Sequence, residues 1–345
     1  MGAKREPGLR ARALTVSAAG GVAAGIALQV RHVRSIARDP EYLELTAPLG
    51  GSPIRVLSAD GTRLHAEAFG PDIGATVVLA HGWTEDLRLW GPVIRILSGQ
   101  GLRPVGYDLR GHGRSGPAAG HDYTLARFGE DLEAVLAAVT PDGQRATVVG
   151  HSLGAMSIAA WAQDHEPGVR ARAAAMVNTG LGDLISSHLL IGEIAKRLGG
   201  PFAGRLLLGS RAPIPSFSSP LQHAVIRHAA FGPEATTGQV AFYEQMLVAC
   251  PPDVRAACGI AMSDMNLWPA VARLTIPTLV VAGDSDRLTP SAHARRIADT
   301  LPEPAGMVEL ERTGHMSPLE RPQQLAAALS RLVADTAPLP PVAAL

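Results

Sequence analysis

The sequence predicts an α/β protein: a mostly parallel eight-stranded sheet with helices on both faces and a helical insertion late in the chain. Short apolar runs alternate with helically spaced stretches from Ile54 to Asn178, the rhythm of strands joined by crossover helices. That alternation breaks between Leu181 and Asn266 and resumes at Pro277. Most of the apolar runs end in turns rich in glycine and polar side chains. In an open parallel sheet such turns gather along one edge, where ligands bind.

At 345 residues and 46% hydrophobic content, the chain is long enough to bury a large core, as one large domain or two ordinary ones. Lysine plus arginine balances aspartate plus glutamate at 31 each. No overall field therefore recruits nucleic acid or an acidic partner, and a small neutral substrate is expected. Cys250 and Cys258 lack the paired spacing of a metal site and are too few for a disulfide framework. They read as buried thiols.

Ala13 to Val30 carries no charge and is flanked by Lys4, Arg5, Arg10 and Arg12 before it and Arg31, Arg34 and Arg38 after it. Gly21 and Gly25 have the spacing that lets membrane helices pack closely. Three readings stay open: a membrane anchor, an amphipathic or alanine-rich soluble helix, and an export signal. Residues 1–40 are therefore set apart as an N-terminal segment with a candidate membrane helix at 13–30. The protein is expected at a membrane through that helix, or otherwise in the cytoplasm.

A linker marked by Pro40, Pro48, Gly50, Gly51 and Pro53 leads into a hairpin, Ile54 to Ala59 and Arg63 to Phe69 around Asp60-Gly61. Thr76 to Ala80 is an uninterrupted apolar run, as for a strand buried on both faces, and ends in His81-Gly82-Trp83. A helix from Leu89 to Leu97 follows, then a strand from Pro104 to Tyr107 and the crowded turn Asp108 to Ser115. Leu125, Phe128, Leu132, Val135 and Leu136 recur at helical intervals. The next strand begins at Ala146 and runs into Gly150-His151-Ser152-Leu153-Gly154.

This Gly-X-Ser-X-Gly pattern hands a serine from a strand to a helix. Its glycines remove Cβ atoms where the backbone doubles back, leaving the hydroxyl exposed at the strand end. A helix from Ala155 to Gln163 and a strand from Ala173 to Asn178 come next. From 181 to 266 only helical stretches are found, punctuated by Gly199-Gly200-Pro201, Gly232-Pro233 and Pro251-Pro252. Core order resumes over 267–336 with a strand at Thr278 to Ala282, a helix at Ser291 to Leu301, a strand at Met307 to Leu310 and a closing helix at Gln323 to Val333. The core is thus 41–180 plus 267–336, and the proline-rich tail 337–345 is expected to be disordered.

Ser152 is a weak nucleophile unless a base takes its proton, so a histidine must lie near it in space. His315, in Thr313-Gly314-His315 past the last strand, is that candidate, and Asp286 can fix its tautomer from the end of the preceding strand. Asp284 competes for the acid's place, since both aspartates follow Gly283. His81, His112 and His151 read as supporting or packing groups. Asp108, Arg110 and His112 brace their turn, and Asp131 is a solvated or bracing helix residue. His188, His223 and His228 fall on helix faces of the insertion, where solvation is the default.

With these motifs in order, the chain resembles the α/β-hydrolase superfamily, in particular capped serine hydrolases of esterase and lipase type. The resemblance covers about Ile54 to Thr336. It implies Ser152, Asp286 and His315 as catalytic triad, and the backbone N–H groups of Trp83 and Leu153 as an oxyanion hole, with residues 181–266 as a helical cap. It implies no cofactor and no metal. Serine at the elbow, where some relatives carry aspartate, points to hydrolysis of an ester or related acyl compound through an acyl-enzyme. The Leu, Ile, Met and Phe of the insertion suggest an apolar or lipid-like substrate. Acyltransferase and haloperoxidase-like activities on the same triad, and a non-catalytic binding protein, are the alternatives.

Overall fold

The computed structural model describes residues 24–141, 143–183 and 201–337. Two helices precede the sheet, α1 (residues 24–37) and α2 (Pro40–Thr46). The hairpin β1 (Ser52–Leu57) and β2 (Arg63–Ala68) follows, then β3 (Thr76–Ala80), α3 (Gly91–Gly99), β4 (Arg103–Tyr107) and α4 (Leu125–Val139). Next come β5 (Ala146–His151), α5 (Leu153–Asp164), α6 (Pro167–Arg170) and β6 (Ala171–Val177). Helices α7 (Pro201–Leu208), α8 (Pro220–Ala230), α9 (Thr237–Ala249), α10 (Pro252–Ser263) and α11 (Trp268–Val271) separate β6 from β7 (Thr278–Gly283). The chain closes with α12 (Ser291–Thr300), β8 (Pro304–Leu310), α13 (Ser317–Glu320) and α14 (Pro322–Asp335).

The eight strands form one sheet in the order β1-β2-β4-β3-β5-β6-β7-β8. Only β2 runs against its neighbours, and the rest are parallel. The period of two places alternate residues of each central strand in different cores. Val78 and Ala80 of β3 join Phe128, Leu132, Trp161 and Ile297 of α4, α5 and α12 on one face. Val77 and Leu79 join Val93, Leu97, Leu329 and Val333 of α3 and α14 on the other. Burial on both faces is why β3 is apolar from Val77 to Ala80 and β5 carries Val148 and Val149 side by side.

The first half of the stretch expected as a linker, Pro40–Thr46, is helical instead. Asp39 caps α2 by accepting from the N–H groups of Glu41 and Tyr42. Proline at the first position supplies the helical φ and lacks an N–H that would have no partner there, so it starts this helix. Glu41 then accepts from Thr236 Oγ1 (2.5 Å) and Gln239 Nε2 (2.7 Å), fastening α2 to α9. Helix α1 reaches the same region. Gln29 Nε2 donates to the Ser218 carbonyl (2.6 Å), and His32 Nε2 lies 2.9 Å from Ser218 Oγ.

The two ends of the insertion are pinned together at its base: Leu267 N–H donates to the Leu181 carbonyl (2.7 Å), and Gly182 bridges Asn266. Among the described residues no helix is long and apolar enough to cross a membrane. Residues 13–23 of the uncharged run, His188 and the tail from 338 lie outside the described residues. His223, expected on a solvated face, is buried, with Nδ1 3.3 Å from Glu244 Oε2. Cys250 and Cys258 are buried free thiols.

Candidate active site

Strand β5 passes into α5 through Ser152, whose φ of 50° and ψ of −114° lie where an L-residue is strained by about 1–3 kcal/mol. The glycines two residues to either side have no room for a side chain. A Cβ on Gly150 would stand 2.4 Å from the Gly154 carbonyl and the Ala155 nitrogen, and one on Gly154 would stand 2.3 Å from the Ala80 carbonyl of β3. The elbow is tied from outside by Ser152 N–H donating to the Val177 carbonyl (2.9 Å) and by Thr179 Oγ1 donating to the Ser152 carbonyl (3.0 Å). Leu153 is the first residue of α5. Its N–H therefore has no acceptor within the helix and sits at the positive end of the helix dipole.

His315 stands past β8 with Nδ1 2.8 Å from Asp286 Oδ2, both side chains buried. A carboxylate facing Nδ1 fixes the hydrogen there and leaves Nε2 as the acceptor. Asp286 is held from several sides. Its Oδ1 accepts from Leu288 N–H and Thr289 N–H, and its Oδ2 also accepts from Thr289 Oγ1 (2.9 Å) and Asn178 Nδ2 (3.0 Å). Burial alone would raise its carboxyl. The adjacent His315 and the hydrogen bonds outweigh burial and hold it at about 2. Asp284 is exposed and accepts from Ser285 Oγ and Thr313 N–H, so of the two aspartates only Asp286 faces the histidine.

The loop after β3 lies against the elbow, since a Cβ on Gly82 would meet Ser152 Cβ at 3.0 Å. Trp83 follows, half-buried, its indole Nε1 donating to the Arg255 carbonyl of α10 (3.0 Å). The insertion touches the neighbouring loops as well: Thr84 Oγ1 lies 3.2 Å from Tyr243 Oη, and His315 N–H donates to the Ala230 carbonyl (2.8 Å). All five residues expected at the site thus end up along the C-terminal edge of the sheet.

A family model described as serine aminopeptidase, S33, matches residues 71–321. The chain belongs to this family of α/β hydrolases. It is 25% identical over 240 residues to a non-heme chloroperoxidase of Streptomyces lividans, covering 69% of this chain and 84% of that protein. It is 29% identical over 244 residues to a monoacylglycerol lipase of Mycolicibacterium smegmatis, covering 69% and 80%. Esterase RhEst1 of Rhodococcus sp. ECU1013 superposes with a TM-score of 0.64 at 22% identity, over 83% of this chain and all of that one. The protein is a hydrolase of this fold.

In this hydrolase two histidines beside the site, His81 and His112, are tied to the backbone of its loops. His81 Nε2 accepts from Leu109 N–H (2.9 Å), so its Nδ1 donates to the Gly82 carbonyl (2.8 Å). His112 sits between the Arg110 carbonyl and the Thr84 N–H, and burial with His81 beside it pushes its imidazole down to about 4. Both brace the loops beside the site. Arg110 is fully buried and clasps Asp131 (2.6 and 2.7 Å) and Asp60 (2.8 Å), while Asp108 accepts from Leu87 and Arg114 N–H groups. Asp131 is thus a buried brace, not a solvated residue.

Sequence reasoning missed Asn178, whose amide joins Asp286, the Gly314 carbonyl (3.1 Å) and Ser317 Oγ (2.5 Å). A polar residue closing the apolar run of β6 was the available signal; in the structure Asn178 takes a left-handed φ of 47°. Thr289 was missed too, as was Glu320. The Glu320 carboxylate accepts from the Gly314 and Gly232 N–H groups, fastening the histidine loop to the insertion.

Proposed function

We propose that this hydrolase cleaves a carboxylic ester or a related acyl compound through an acyl-enzyme on Ser152. His315 Nε2 removes the hydroxyl proton as Ser152 Oγ attacks the acyl carbon. Asp286 stays ionised, holding the imidazole and stabilising the imidazolium that forms. The N–H groups of Trp83 and Leu153 receive the oxyanion, each worth about 3 kcal/mol of barrier. His315 then gives the proton to the departing alcohol, and water, activated by the same histidine, releases the acid. The observation that carries this reading is the 2.8 Å contact between His315 and Asp286 across the edge from a strained serine.

An apolar or lipid-like acyl group fits the similarity to a monoacylglycerol lipase and the apolar content of the insertion, which we read as a cap over the site. Similarity to a chloroperoxidase keeps haloperoxidase-like turnover on the same triad as the second reading. A panel of nitrophenyl and monoacylglycerol esters, assayed with wild type and His315→Ala, tests the first reading. Hydrolysis lost in the variant is the expected result. Peroxide-dependent halogenation without ester cleavage would favour the second, and formation of a new ester with added alcohol would indicate acyl transfer.

A further inference from the structure

Between the elbow and the loop after β3 lies a buried pair that the triad does not include. Glu85 Oε2 is 3.0 Å from His151 Nδ1 and accepts from Gly82 N–H (2.5 Å). On its other side, His151 Nε2 lies 2.8 Å from the backbone carbonyl of His315. Both ring nitrogens of His151 thus face acceptors, and only an imidazolium can donate to both. Glu85 and His151 are fully enclosed.

The pair occupies a junction. A Cβ on Gly82 would stand 2.7 Å from Glu85 Oε2, 2.9 Å from His151 Nδ1 and 3.0 Å from Ser152 Cβ, so the loop after β3 and the elbow meet at this glycine. Glu85 holds the His81–Gly82 peptide, one peptide before the Trp83 amide. His151 is adjacent to Ser152 in the chain and grips the backbone of His315, with the two imidazoles 4.9 Å apart. A single ion pair therefore touches the oxyanion loop, the nucleophile loop and the histidine loop.

We infer that the buried Glu85–His151 ion pair is a positioning element, setting the Trp83 amide and the His315 ring against Ser152. The inference rests on the acyl-enzyme reading above. Burial by itself would remove the second proton from His151; Glu85, the His315 carbonyl and Asp286 outweigh it and raise the imidazole above its ordinary value. Burial would likewise raise Glu85, and His151, with His81 and His315 further off, brings it below the usual carboxylate range. A lone buried ion pair rarely adds stability over an apolar pair of the same size, and its advantage lies in fixing one arrangement. Here that arrangement is the register of three catalytic loops.

The test uses the full chain carrying 15N-histidine, with His151 assigned by its loss in His151→Gln. NMR at pH 7 should show both His151 nitrogens protonated in wild type and one in Glu85→Gln. Kinetics on a nitrophenyl ester should show Glu85→Leu losing about 100-fold or more in kcat, the scale of a 1 Å misplacement. Glu85→Gln, which keeps an acceptor for Gly82, should lose about 10-fold, with KM within about threefold of wild type in both variants. A singly protonated His151 in wild type, or a kcat unchanged in Glu85→Gln, would overturn the inference, and these two readings decide it even where Glu85→Leu does not fold. A wild type that cleaves no ester would count against the acyl-enzyme reading instead, and the NMR result would still report the pair.

Discussion

His315 Nδ1 lies 2.8 Å from Asp286 Oδ2, whereas Asp284, two residues earlier in the same turn, is exposed and bound to Ser285 and Thr313. The two aspartates should separate sharply in function. Asp286→Asn presents an amide that favours the wrong imidazole tautomer, and kcat for ester hydrolysis should fall by about 10⁴. Asp284→Asn should stay within about threefold of wild type, since its carboxylate is in water. Steady-state kinetics on one ester checks both.

The elbow depends on glycine at a position the mechanism never uses directly. A Cβ at Gly154 would sit 2.3 Å from the Ala80 carbonyl, and β3 cannot move aside without breaking its pairing with β4 and β5. Gly154→Ala should cost about 3 kcal/mol or more. Gly168→Ala, where a Cβ meets nothing within 4 Å, is the matched control and should be close to neutral. Urea denaturation of the two variants measures the difference.

Arg110 is a buried guanidinium whose partners, Asp131 and Asp60, come from distant parts of the chain. Arg110→Met leaves Asp131 buried and unpaired and should destabilise by about 3–5 kcal/mol. Adding Asp131→Leu should recover part of that loss. A double variant as unstable as the sum of the singles would show that packing, not charge, dominates there.

Glu320 gives a pH dependence of definite sign. Burial, opposed by the hydrogen bonds from Gly314, Gly232 and Met316 and assisted by Asp286, raises its carboxyl from 4.5 to about 7. A raised carboxyl binds its proton more tightly in the folded state, so its contribution to stability is full below about 4.5 and is lost as pH rises through about 7. Glu320→Gln removes the titration and keeps an acceptor. The Tm of the variant relative to wild type should therefore rise between pH 5 and 8, and a constant difference would contradict this assignment.

How much of this could be read in the sequence follows from the range of each interaction. Strands β3, β5 and β7 announce themselves because burial on both faces leaves adjacent apolar residues such as Val77-Val78, Val148-Val149 and Val280-Val281, and the elbow glycines because they flank Ser152 two residues to either side. Asp286 could be preferred over Asp284 only through the family resemblance, whose pattern sets the acid three residues after the glycine. The contacts of Asn178 with Asp286 and of Glu85 with His151 span 108 and 66 residues, and no local pattern encodes them. Helix α2 was misread for a different reason: proline ends some helices and begins others, and Asp39 was the cue that decides.

Ser152 Oγ is the atom we propose becomes acylated. Wild type incubated with a fluorophosphonate and weighed intact should gain the mass of one phosphonyl group, mapped by peptide sequencing to Ser152, and Ser152→Ala should gain none. Equal labelling of both proteins, or a phosphonyl group on another residue of wild type, would contradict the account.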